Sequence, residues 1–145
     1  MEGKFKEIKQ EILHRVNNAG ACKEQYGRAY KAETMAGLCR VIKDNWDWYC
    51  DNAVVTPDLL EKYREEFAEQ QIYVNVDTDN GFLLATGNAM VEAWGNATVR
   101  ASDNAYCTSD SMIKCKLSGH ALHKVCSTNT VYFASDDIKF VKQES

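Results

Sequence analysis

Hydrophobic side chains in the first 71 residues recur three and four positions apart, which is the spacing of amphipathic helices. Thr56 and Pro57 mark the start of the last helix, with the threonine as its cap and the proline in its first turn. The spacing and these signals predict four helices, over about residues 5–16, 21–31, 34–49 and 57–70.

Beyond residue 71 the hydrophobic period changes from helical spacing to alternation. From Asn80 the chain can be written in eights, and residues 80–111 read NGFLLATG, NAMVEAWG, NATVRASD and NAYCTSDS. The same register continues more loosely to Gln143. Small or apolar residues at positions two, four and six of each octad predict a strand with one buried face. The Asn, Gly, Asp and Ser residues between strands predict sharp corners.

A short fixed period with recurring residue types is typical of a solenoid. We therefore expect an α+β fold in which a helical region, residues 1–71, caps a short C-terminal β-solenoid (β-helix) of eight-residue repeats, residues 72–145. Each octad would supply one strand and one corner, and two or three octads would complete a turn. A β-meander with tight hairpins is the alternative for the repeats, and a separate binding head is the alternative for the helices. The number of octads per turn and the handedness stay open.

The composition is that of one folded domain or two small units. The chain has 145 residues, 45% of them hydrophobic and 26% charged, and a net charge of −4. These values exclude wholesale disorder, a collagen-like fibre and a strongly basic nucleic-acid binder. Residues 1–71 and 72–145 each carry two more acidic than basic side chains, and neither contains a basic block. We therefore expect no direct nucleic-acid binding.

The candidate chemistry is sparse. The six cysteines include no C-x₂-C or C-x₄-C pair, so we expect no metal and no cofactor, and we interpret Cys107, Cys115 and Cys126 as small core residues. His123 falls at an inward position and is interpreted as a buried, hydrogen-bonded side chain. Residues 77–81 resemble the start of a calcium loop, but Asn88 stands where that loop needs an acid. No nucleophile, phosphate-loop or metalloprotease motif occurs, and we expect a protein that is not an enzyme.

Six aromatic or outward-facing residues are the candidates for a partner surface. Trp48 falls off the apolar stripe of its helix and is the first choice for an exposed anchor, because tryptophan and tyrosine dominate interface energies. The outward octad positions supply the other candidates, and three of them share one octad position and would form one outward row or two. The predicted partner-binding residues are Trp48, Tyr49, Met90, Trp94, Thr98 and Tyr106.

The repeat also carries a resemblance. The run NAMVEAWGNATVRA, residues 88–101, resembles octapeptide-repeat proteins of phages and mobile elements of gut Bacteroidales. Residues 127–131 and 135–140 resemble the closing part of such proteins, and residues 45–49 and 60–63 resemble their helical leader. The family offers no catalytic residues to carry over. The resemblance implies an accessory protein inside a bacterial cell, and many such proteins counter host defences, including CRISPR effectors, by binding them.

The first hypothesis is thus a non-enzymatic binding protein, phage- or mobile-element-encoded, that inhibits a host protein or ribonucleoprotein complex. The alternatives are an oligomer that sequesters a small ligand or nucleotide, and a structural component of a fibre or particle. No apolar stretch is long enough for a membrane span and the N-terminus lacks a signal peptide, so we expect the cytoplasm of the bacterial host cell. The partner, the part that binds it and the oligomeric state, including a homo-oligomer, stay open.

Overall fold

The protein consists of a helical unit and a strand unit, which divide between Gln70 and Gln71. The computed structural model describes residues 2–20, 22–109, 113–125, 131–134 and 139–142. The first unit contains the helices α1 (Glu2–Asn18), α2 (Lys23–Tyr30), α3 (Met35–Asp44), α4 (Trp46–Asp51), α5 (Pro57–Lys62) and α6 (Arg64–Glu69).

Two helices begin with a threonine cap, and the cap at Thr56 confirms the prediction from the sequence. The Thr34 hydroxyl accepts a hydrogen bond from the backbone N–H of Gly37 at 3.0 Å, and the Thr56 hydroxyl accepts one from Leu59 at 3.3 Å, ahead of Pro57. These caps satisfy N–H groups that have no partner inside the helix.

The prediction of continuous helices over 34–49 and 57–70 is wrong. Asn45 has φ −126° and ψ 34°, and Tyr63 has φ −121° and ψ 42°, so each leaves the helical region and separates two helices. The α1 helix is tied to the segment ahead of α5 by the Arg15 guanidinium, which donates to the Thr56 hydroxyl at 3.0 Å. The largest fully buried side chains of this unit are Ile8, Ile12, Leu38, Ile42, Tyr49, Leu59, Leu60, Tyr63 and Phe67.

Within its described residues, the strand unit contains nine short strands in two parallel sheets. The first sheet has the order β1-β2-β4-β6-β8 and the second the order β3-β5-β7-β9, so from β2 onward the chain alternates between the sheets. All seven strand pairs are parallel. The strands are β1 (Ile72–Val74), β2 (Phe82–Ala85), β3 (Met90–Glu92), β4 (Thr98–Ala101), β5 (Tyr106–Ser109), β6 (Lys114–Leu117), β7 (Leu122–Val125), β8 (Val131–Ala134) and β9 (Lys139–Lys142).

The buried side chains of the strand unit follow the octad positions. Octad positions two, four and six point inward from both sheets and form one core cluster, which excludes water from the space between them. Its members are Leu83, Ala85, Val91, Ala93, Ala97, Val99, Ala101, Ala105, Cys107, Ile113, Cys115, Leu117 and Ala121. Cys107 and Cys115 therefore fill the core as predicted, whereas Cys126 and the side chain of His123 lie outside the described residues.

The predicted β-solenoid is wrong, because the helices are followed by two short parallel sheets of five and four strands. A register of sixteen residues, the length of two octads, joins four strand pairs, for example Phe82 with Thr98. Between β1 and β2 the spacing is only ten residues, since Ile72 pairs with Phe82. In β8 and β9 the spacing is seventeen residues, so Tyr132, not Val131, aligns with Cys115. The hairpin alternative is wrong too, since no described pair is antiparallel, and the capping role expected of residues 1–71 is withdrawn with the solenoid.

The corners depend on residues that accept a positive φ. Gly95 has φ +64°, and a Cβ atom there would lie 2.5 Å from the Asp79 carbonyl oxygen, so only glycine fits. Gly87 has φ +62° but faces open space. The Asp103 carboxylate accepts a hydrogen bond from the Gly87 N–H at 3.0 Å, which links corners sixteen residues apart. Within the described part of the chain, no helix has the length and apolar character that crossing a membrane requires.

Candidate partner-binding surface

The outer face of the second sheet carries a row of three apolar side chains, which we call the outward row. Met90 pairs in register with Tyr106, and Tyr106 pairs with Leu122. Met90 is 78% exposed, the highest value among the large hydrophobic residues described, and the other two are half-buried. Opposite residues on neighbouring strands lie within about 5 Å, so the three side chains form a continuous strip.

The core explains why these side chains point outward. Val91 and Cys107, which follow Met90 and Tyr106 in the sequence, are buried, and a strand that buries one residue must expose its neighbour. Next to the outward row lie exposed Glu92 and half-buried Thr108, which also pair in register. The backbone N–H of Glu92 donates to the Asp77 carboxylate at 2.8 Å, which fixes this end of β3.

Trp94 lies at the corner that follows β3, two residues after the end of the strand, and is 39% exposed. Its backbone N–H donates to the Thr78 carbonyl at 3.1 Å, and its own carbonyl accepts from Ala97. The chain around it is therefore held on both sides, and the following Gly95 fits only as glycine. Trp94 continues the outward alternation of Met90 and Glu92 past the end of the strand. A rigid backbone that presents an exposed indole suits recognition, because little entropy is lost on binding.

Thr98 lies in the first sheet, away from the outward row. It pairs with Phe82 on one side and Lys114 on the other. The neighbouring register position on these last two strands holds Arg100 and Lys116. The outer face of β4 and β6 is therefore polar and basic, while β2 has the aromatic Phe82 at the same octad position. The shared octad position thus produces a mixed row in the first sheet and an apolar row in the second.

Trp48 and Tyr49 belong to the helical unit, on α4. Trp48 is half-buried, and its ring packs edge-on against Tyr49 with the centroids 5.3 Å apart. Tyr49 is fully buried, and its hydroxyl has no hydrogen-bond partner among the residues that the structure describes. Burial raises the pKa of the Tyr49 phenol to about 12, against the opposing effect of Arg28. Tyr49 thus supports the Trp48 ring and presents no surface of its own.

The buried thiols are poor nucleophiles. Burial raises the pKa of Cys39 to about 12. The pKa of Cys115 is raised far above its ordinary value, first by a hydrogen bond with the Cys107 side chain and then by burial. A protonated, water-excluded thiol neither attacks a substrate nor binds a metal readily. Across the described ranges, no three histidine, cysteine or acidic side chains form a group that could hold a metal ion.

Sequence reasoning did not select Leu122, although it shares the third octad position with Met90 and Tyr106 and completes the outward row. It also did not find a cavity in the helical unit, whose lining comes from α1, the start of α3, and α6. No spacing in the sequence marks that cavity, since its walls meet only in the fold.

Comparison with known proteins adds no relative, because no protein-family model matches this chain and no curated protein or solved structure is significantly similar to it.

Proposed function

We propose that this chain is a non-enzymatic binding protein that docks onto a bacterial host protein or ribonucleoprotein complex through the second sheet. The proposed binding surface consists of the outward row (Met90, Tyr106 and Leu122) together with Trp94. The observation that carries the proposal is the exposure of Met90 and Trp94 on a hydrogen-bonded sheet that needs neither for its core. Water-exposed apolar strips are uncommon on soluble monomers and mark interaction sites.

The residue types on this surface support a protein partner. Methionine, tyrosine and tryptophan are enriched at interface centres, and tyrosine and tryptophan supply most large binding energies. Glu92 borders the apolar strip with an exposed charge. An apolar centre with a polar rim is the usual anatomy of a protein–protein interface.

The inhibitory role and the source of the chain rest on the resemblance of residues 88–101 to phage and mobile-element proteins. On that basis the target is a complex of the host cell, a defence complex in the first instance, and the place of action is the bacterial cytoplasm.

Quantitative capture from a gut bacterial lysate tests the proposal. The wild-type chain should enrich one host complex, and Tyr106→Ala should reduce its recovery at least about tenfold, as expected for an interface hot spot. Thr108→Ala, an outward residue on the same strand, is the matched control and should capture normally. Equal recovery by wild type and Tyr106→Ala contradicts the proposed surface.

The variant Trp48→Ala tests whether the helical unit contributes to binding in addition to the second sheet. If the second sheet alone binds, Trp48→Ala captures the complex as well as wild type, with unchanged circular dichroism. Loss of capture in Trp48→Ala together with normal capture by Tyr106→Ala would move the interface to α4 and overturn the proposed surface.

A further inference from the structure

The helical unit contains a solvent-open cavity of about 270 Å³, formed where three elements meet. Residues Lys4 and Phe5 of α1 line one wall, Glu33, Thr34 and Met35 at the start of α3 line another, and Glu66 and Glu69 of α6 line the third. Small-molecule sites usually enclose about 300–1,000 Å³, so this cavity fits a group of about the size of one amino-acid side chain.

The position of the walls is fixed by hydrogen bonds near the cavity. The Lys9 ammonium donates to the Ala32 carbonyl at 2.6 Å, which ties α1 to the segment that precedes α3. Thr34 caps α3, so its hydroxyl is engaged with the Gly37 N–H. Phe5 and Met35 are half-buried and supply an apolar wall. The cavity therefore has walls held by hydrogen bonds, and one of its walls is apolar.

The charges around the cavity are unbalanced. The side-chain carboxylates of Glu33, Glu66 and Glu69 make no hydrogen bond or ion pair with any described residue. The lining contains one cation, Lys4, whose Nζ lies 5.5 Å from the centroid of the Tyr63 ring. Three carboxylates therefore face one ammonium group that is already placed over an aromatic ring.

The helix end adds to this negative field. Glu66 and Glu69 lie three residues apart on α6, where like charges repel. Glu69 is the last residue of α6, at the negative end of the helix dipole, and the last turn contains no basic residue. Among the described residues that line the cavity, only the Lys4 ammonium group opposes these three carboxylates, so a further cation from another molecule would reduce their repulsion.

We infer that this cavity receives the side chain of an arginine on a polypeptide partner. The aliphatic stem would lie against Phe5 and Met35, and the planar guanidinium would face the carboxylates of Glu66 and Glu69. Arginine fits better than lysine because its rigid fork of donors matches carboxylate geometry, and because guanidinium is the more weakly hydrated cation. This site is independent of the proposed binding surface on the second sheet.

The test uses the full chain labelled with ¹³C at its methionine methyl groups, so that Met35 reports on the cavity and Met90 on the second sheet. The probe is acetyl-arginine-amide, and acetyl-citrulline-amide is the uncharged control of the same shape. The Met35 signal should shift saturably with the arginine probe, with a dissociation constant on the order of 1 mM for so small a ligand. The citrulline probe should leave it in place.

The double variant Glu66→Gln/Glu69→Gln should weaken the response of Met35 at least about tenfold, because both facing carboxylates are gone. Glu65→Gln is the matched control, since Glu65 lies on the same helix, is exposed and does not line the cavity. An unmoved Met35 signal, an equal response to citrulline, or a stronger response to spermidine than to the arginine probe each overturns the inference. Those outcomes leave the surface around Met90 untouched, so the two proposals fail separately.

Discussion

The two sheets of the strand unit are alike inside and different outside. Their inner faces are built from the same octad positions, and both bury small or aliphatic side chains. At the third octad position the first sheet has Phe82 followed by Thr98 and Lys114, whereas the second has three apolar residues in succession, Met90, Tyr106 and Leu122. The strands β4 and β6 show that the fold tolerates polar residues at this position. Under the proposed function, the unbroken apolar row of the second sheet serves binding.

The largest expected effect comes from the interior. Leu117 is 1% exposed in β6, and Leu117→Ala should lower the free energy of unfolding by about 2–5 kcal/mol through lost burial and the cavity left behind. Lys114→Ala, an exposed position on the same strand, should change it by less than about 0.5 kcal/mol. Urea unfolding compares the two. A similar loss of unfolding free energy in both variants would contradict the assignment of Leu117 to the interior and Lys114 to the surface.

In the helical unit, the difference between buried and exposed side chains can be measured through the pH dependence of stability. The folded-state pKa of Cys39 is about 12 against an ordinary 9.0, so the unfolded chain loses this proton first. The contribution of Cys39 to the free energy of unfolding is present in full below about pH 9. Between about pH 9 and 12 this contribution should fall by about 1.4 kcal/mol per pH unit.

Urea unfolding at several alkaline pH values checks this slope, with Cys39→Ala as the variant. Cys39→Ala should lose less stability than wild type over that range. Cys22→Ala, which removes an exposed thiol, is the control and should follow the wild-type slope. Identical slopes for wild type and Cys39→Ala would show that the thiol is not protected by burial.

The corners give a smaller effect with a matched pair of glycines. Gly95 and Gly87 have nearly equal positive φ values, but a Cβ atom at Gly95 would meet the Asp79 carbonyl at 2.5 Å, whereas at Gly87 it would meet nothing within 4 Å. Gly87→Ala should therefore cost about 1–2 kcal/mol from the backbone alone. Gly95→Ala should cost at least about 1 kcal/mol more, because a neighbouring backbone must move. Equal losses in thermal unfolding would show that the corner at Gly95 is loose.

The smallest effect on stability is expected where the proposal places the function. Replacing Met90 and Tyr106 by the residues of the first sheet, Met90→Thr and Tyr106→Lys, should change the free energy of unfolding by less than about 1 kcal/mol in total. Calorimetry and urea unfolding measure this change. A loss of more than about 3 kcal/mol would assign the outward row to the fold.

The interior of the strand unit could be predicted from the sequence, because alternation in each octad marks which side chains are buried. Val99 and Ala101 in β4, and Cys115 and Leu117 in β6, are inward as expected. The sheet arrangement could not be predicted with the same certainty. The octads do not contain the ten-residue step from Ile72 to Phe82 or the seventeen-residue step after β6, since both depend on pairing between strands.

The helix breaks and the sites depend on tertiary contacts, which explains why the sequence missed them. Helical spacing runs through Asn45 and Tyr63 without interruption, yet both residues leave the helical region. The exposure of Trp94 and Met90 follows from the alternation, whereas the half-burial of Trp48 depends on Tyr49 beneath it. The cavity beside Glu66 needs three elements to meet and leaves no mark in any one of them.

The central claim is that the outward row serves binding and not folding. Its most direct test is the affinity of the captured host complex for the variant Met90→Thr/Tyr106→Lys, relative to wild type. We predict that this variant remains folded and that its dissociation constant is at least about tenfold higher, which corresponds to a loss of about 1.4 kcal/mol or more in binding free energy. An unchanged dissociation constant for the folded variant would contradict the claim.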